Sequence, residues 1–87
     1  MLSKNFVISN SEGLHMRPAG ILASEMGKMN CNVTIKSNSN IINAKSLMNI
    51  IAACIKCGAK IEVICDGADE QAAMDKISEL IESNFGE

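Results

Sequence analysis

Residues 13–20 read Gly-Leu-His-Met-Arg-Pro-Ala-Gly and hold the sequence's only histidine, His15, its only arginine, Arg17, and its only proline, Pro18. Gly13 can take the positive-φ backbone that other residues reach only at a cost. Pro18 suits the first turn of a helix, where its missing N–H would have had no partner anyway. Ile21, Leu22, Met26 and Met29 then recur at helical spacing. His15 is therefore expected just before, or at, the start of a helix. Such a start offers unpaired N–H donors and the positive end of the helix dipole, both of which favour an anion. Arg17 adds a permanently charged fork that matches phosphate oxygens. An imidazole, helix amides and one guanidinium make a place to form and hold a phosphohistidine. A helix-capping histidine with a solvated arginine beside it would use the same residues without that chemistry.

The elements that must position this stretch can be read along the chain. Leu2 to Ile8 alternate, with Leu2, Phe6 and Ile8 on one face, and predict a first strand. Asn10 to Gly13 is a polar loop, and a first helix follows from Met16 to Met29. Gly20 and Gly27 each weaken that helix by about 1 kcal/mol relative to alanine if both lie inside it. Val33 and Ile35 alternate with polar neighbours as a second strand. A turn over Ser37 to Asn40 leads into a third strand beginning at Ile41 and Ile42. Ser46 precedes the apolar set Leu47, Met48, Ile50 and Ile51 and reads as the N-cap of a short second helix, with Gly58 as the stop beyond it. Ile61, Val63 and Cys65 form one face of a fourth strand, and Ile64 on its other face marks that strand as central or covered. Asp69 or a neighbour caps a last helix, on which Ala73, Ile77, Leu80 and Ile81 make an apolar stripe opposite Glu79 and Glu82. The order is β-α-β-β-α-β-α. Half-buried strands need a covering layer, which gives a two-layer α+β domain spanning residues 1–87. Strand order stays open at this level, because a ferredoxin-like arrangement shares the first six elements.

Composition narrows the function classes. Eight basic against ten acidic residues leave a net charge of −2, which argues against a general binder of nucleic acid. With neither tryptophan nor tyrosine, a platform for base stacking is poorly supported. No stretch is long enough to span a bilayer, and the opening residues lack the apolar core of a signal peptide, so a cytoplasmic location is expected. Cysteines in that compartment are expected to be reduced. Cys31 and Cys65 fall at or in strand-like segments and read as small apolar residues. Cys54 and Cys57 form a C-x-x-C pair, which reads first as structural thiols and second as a redox motif or half of a metal site. A closed zinc site would need two further ligands, and no metal or cofactor is expected.

The stretch Gly13 to Gly20 resembles the active-site signature of the histidine-containing phosphocarrier (HPr) family of the bacterial sugar phosphotransferase system. Ala44 to Ile51, reading Ala-Lys-Ser-Leu-Met-Asn-Ile-Ile, is similar to that family's second signature, and Gly67 to Glu70 to its entry into the last helix. The resemblance implies an open-faced β-sandwich, with a four-stranded antiparallel sheet and three helices on one face. It implies a phosphocarrier rather than a turnover enzyme. Enzyme I would phosphorylate Nδ1 of His15, and His15 would pass the group to IIA domains of sugar permeases. Arg17 would stabilise the moving charge, and a cradle of Met16, Arg17 and Pro18 would hold the phosphate. Ser46 would be the regulatory serine of the Gram-positive members, phosphorylated by HPr kinase/phosphorylase and then recognised by a catabolite-control transcription regulator. Gly20, Leu47, Met48 and Ile51 would dock the partners of a monomeric protein, with Leu47 and Met48 the exposed pair. Met16, Gly20 and Asn49 depart from the residues common in the family.

Overall fold

The computed structural model describes residues 1–86. Its elements are β1 (Leu2–Val7), α1 (Met16–Gly27), β2 (Asn32–Ser37), β3 (Asn40–Asn43), α2 (Leu47–Ala52), β4 (Lys60–Asp66) and α3 (Glu70–Glu82), followed by a short helical turn at Asn84–Gly86. The four strands form one sheet in the order β1-β4-β2-β3, and every neighbouring pair is antiparallel. β4 is thus central, as Ile64 suggested.

Strand alternation sorts the sheet into two faces. Ile61, Val63 and Cys65 of β4 are buried, and the register sets Val63 and Cys65 beside Ile35 and Val33 of β2. The helices cover this side. Asn32, Lys36, Ile41, Asn43, Lys60 and Asp66 point the other way and are exposed. Leu22 and Met26 of α1, Ile50 of α2, and Ala73, Ile77 and Ile81 of α3 complete the buried cluster. The result is the two-layer α+β arrangement, an open-faced sandwich.

Several boundaries differ from the sequence reading. β1 ends at Val7, because Ile8 leaves the ladder to exchange bonds with the segment before β4. Its N–H donates to the Ala59 carbonyl at 3.0 Å, and its own carbonyl accepts from the Gly58 N–H at 2.7 Å. α1 ends at Gly27 rather than Met29 as the last amides tighten: Lys28 donates to the Glu25 carbonyl and Met29 to the Met26 carbonyl. α2 is short, as expected, and stops at Ala52, and Cys54 takes the left-handed backbone (φ 52°) usual for glycine just past a helix. Asp69 stands at the N-cap of α3 but makes no capping bond with its side chain. Its carboxylate instead accepts the backbone N–H groups of Asn30 and Cys31, each at 2.8 Å, and ties the α1–β2 loop to the start of α3. Phe85 lies beyond the last helix yet is buried in the core.

Candidate functional site

His15 is the N-cap of α1, with an extended backbone and no capping bond from its side chain. The first intrahelical bond runs from the Ala19 N–H to the His15 carbonyl at 3.0 Å. The amides before it belong to Met16 and Arg17, since Pro18 has none, so the helix start presents two main-chain donors next to the imidazole. The imidazole is 34% exposed, and its Nε2 lies 3.9 Å from a carboxylate oxygen of Glu12. Met16 and Arg17 are exposed, whereas Pro18 and Ala19 pack inward and anchor the first turn. A ring at the surface, fixed by a buried turn, can reach another protein without a closed pocket.

The loop carrying His15 is held from three directions. Leu14 donates its N–H to the Ile55 carbonyl at 2.9 Å, and Gly13 donates to the Asn10 carbonyl at 2.9 Å. Gly13 has φ 68°, and a Cβ there would stand 2.3 Å from the Ile55 carbonyl oxygen and 2.6 Å from Cα of Lys56. Only glycine lets the loop settle that closely on the segment after α2. Asn10, buried, donates its side-chain amide to the Asn84 carbonyl at 2.9 Å, so the C-terminal turn supports the loop as well.

The second helix runs antiparallel beside the first. The start of α1 meets the end of α2 through Leu14 and Ile55, and the end of α1 meets the start of α2 through the Lys45 ammonium on the Met29 carbonyl at 2.8 Å. Ser46 caps α2 as expected: its Oγ accepts from the Asn49 N–H at 3.3 Å and from the Asn49 side-chain amide at 3.2 Å. It therefore sits at the far end of α2 from His15. Met48 is 73% exposed and Met16 64%. Leu47 and Ile51 are only half-buried and pack against the core, so of the expected exposed pair Met48 stands out and Leu47 does not. Gly20 is half-buried on α1, with open space where a Cβ would be.

A family model described as the PTS HPr component phosphorylation site matches residues 2–83. The chain belongs to the HPr family. Its relatives include a phosphocarrier protein HPr of Xylella fastidiosa, 37% identical over 100% of this chain and 98% of that protein. A multiphosphoryl transfer protein of Haemophilus influenzae is 41% identical over 94% of this chain, which spans only 17% of that longer protein. Among solved structures, an HPr from Thermoanaerobacter tengcongensis superposes with a TM-score of 0.96 at 32% identity, covering 100% of this chain and 98% of that one. An HPr dimer from the same organism superposes less closely, at a TM-score of 0.80 with 32% identity and 100% of each chain covered. An HPr is a phosphocarrier of the phosphotransferase system, not a turnover enzyme.

Two neighbours of the His15 loop escaped the sequence reading. Glu12 precedes His15 by three residues, a spacing that could have flagged it. The seat formed by Ile55 and Lys56 left no signal, because it is made of backbone atoms, which any side chain can carry.

Proposed function

We propose that this HPr, as a single domain, accepts a phosphoryl group from phospho-enzyme I on His15 and donates it to IIA domains of sugar permeases. The observation that carries this reading is the imidazole at the start of α1, beside the Met16 and Arg17 amides and two residues ahead of the exposed Arg17. An incoming phosphoryl group would meet main-chain donors and the positive end of the helix dipole as its charge passes to the ring. Arg17 would follow the charge from the solvent side. Glu12 lies on the Nε2 side of the imidazole, which supports transfer through Nδ1. The exposure of the ring suits a carrier, because a closed cage would hold the phosphoryl group too tightly to pass it on.

Met16 and Met48, with the half-buried Gly20, Leu47 and Ile51, would form the docking face shared by enzyme I and the IIA domains. Flexible methionines adapt to more than one partner. Ser46 would be phosphorylated by HPr kinase/phosphorylase. A phosphate there is electrostatically favoured by the start of α2. It would act on docking rather than on the imidazole itself, since α2 spans six residues, ~9 Å, between the serine and the loop that carries His15. A catabolite-control transcription regulator would then read the phosphoserine. The protein would work as a cytoplasmic monomer. Among the described residues no helix is long and apolar enough to cross a membrane.

Reconstituting the relay tests this function. Enzyme I, phosphoenolpyruvate, this protein and a IIA domain should together label the IIA domain, and omission of this protein should abolish the labelling. Label that reaches this protein but never a IIA domain would contradict the carrier role.

A further inference from the structure

The backbone that seats the His15 loop lies between two exposed thiols. Cys54 and Cys57 are both free and exposed, and the residues between them are Ile55 and Lys56. Ile55 supplies the carbonyl that holds Leu14, and both residues close against Gly13. We propose that Cys54 and Cys57 form a reversible disulfide that unseats the loop carrying His15, coupling the carrier site to thiol oxidation.

The argument is geometric. In the reduced protein the Ile55 carbonyl accepts from Leu14 and the Lys56 carbonyl from Ala59, so neither closes residues 54–57 into a turn of their own. Three residue steps can separate two Cα atoms by up to roughly 10 Å. A disulfide requires about 4.4–6.8 Å. Closing the bond must therefore fold residues 54–57 into a tight turn with Ile55 and Lys56 at its centre. That turn rotates the Ile55 carbonyl away from the Leu14 N–H and moves Lys56 relative to Gly13, whose fit depends on both. It also pulls on the Ile55 side chain, which is only 4% exposed. Cys54 already sits in a left-handed backbone that its Cβ disfavours, so refolding this segment gives up a strained conformation. The remaining cysteines are poor competitors. Cys31 and Cys65 are buried, and burial, with the neighbouring Cys31 thiol adding to it, pushes the Cys65 thiol up to about 11.

The oxidant is a small-molecule disulfide. One thiolate of the pair attacks it, forming a mixed disulfide and releasing one thiolate. The second cysteine thiolate then attacks the mixed disulfide and releases the other. The two cysteine thiols lose two electrons and two protons, and the disulfide is reduced to two thiols.

This inference rests on the carrier reading of His15, so its test carries a readout independent of phosphorylation. The full chain would be equilibrated with glutathione disulfide, then analysed by intact mass, peptide mapping, amide exchange at Leu14 and enzyme I-dependent phosphorylation. We expect loss of two hydrogens, a Cys54–Cys57 linked peptide, and loss of Leu14 amide protection. Phosphorylation should slow roughly tenfold or more, as displaced reacting groups do, and should recover with a dithiol reductant. The Cys54→Ser/Cys57→Ser variant should behave as reduced wild type with or without oxidant. Glutathione adducts without the internal bond, an internal bond that leaves Leu14 protection unchanged, or a double variant that slows equally would each overturn the proposal. Reduced wild type that accepts no phosphoryl group from an active enzyme I would count against the His15 reading, while Leu14 protection still decides the switch.

Discussion

At the scale of single residues, the site depends as much on Gly13 as on His15. In the proposed relay the imidazole would supply the chemistry, and the close approach of Gly13 to the Ile55 carbonyl and Lys56 sets where the imidazole stands. Gly13→Ala adds a methyl group at 2.3 Å from a carbonyl oxygen and forces it into a left-handed backbone at φ 68°. We expect a loss of about 1–3 kcal/mol in stability, read by urea unfolding, together with slower phosphorylation of His15. A variant as stable and as quickly phosphorylated as wild type would show that the seat is unimportant. His15 and Arg17 are legible in the sequence because each is the only residue of its type and their spacing suits a helix start. The seat is not legible, since Ile55 and Lys56 act through atoms that every residue shares.

At the scale of elements, α2 carries opposing features at its two ends. Ser46 stabilises its start through the bond from the Asn49 amide, so Ser46→Ala should cost about 1 kcal/mol. Cys54 weakens its end by standing in left-handed backbone, where glycine pays no penalty for a Cβ. Cys54→Gly should therefore raise stability by about 1 kcal/mol. Thermal unfolding of both variants checks the pair, and shifts of the same sign would refute this account of the helix. The N-cap was readable from a serine placed just ahead of an apolar run. The end of α2 was not, because a cysteine does not signal a left-handed residue. Asp69 shows the same limit: its position marks the cap of α3, but its carboxylate answers to the Asn30 and Cys31 amides, which lie far away in sequence.

At the scale of the whole molecule, the Asp69 tie joins the α1–β2 loop to α3 and makes stability depend on pH. The backbone N–H of Asn30, with further help from Cys31, holds the Asp69 carboxyl below its usual range. A depressed folded-state value means that the stabilisation is complete above the unfolded value, near pH 4, and is lost as pH falls through the folded one. Asp69→Asn should flatten the acid side of the stability profile, measured by denaturant unfolding at graded pH; an unchanged profile would remove Asp69 from this role. The sheet order was the part of the fold that local pattern could not supply, since pairing between β1 and β4 brings together residues some 60 positions apart, and it rested on family resemblance. The central claim for the molecule is that the exposed imidazole at the head of α1 carries the phosphoryl group. Its most direct test is phosphoenolpyruvate-dependent labelling by enzyme I of wild type and His15→Ala. The account predicts an acid-labile, base-stable phosphate on wild type and none on the variant. Equal labelling of both, or no labelling of wild type by an enzyme I active on another HPr, would contradict it.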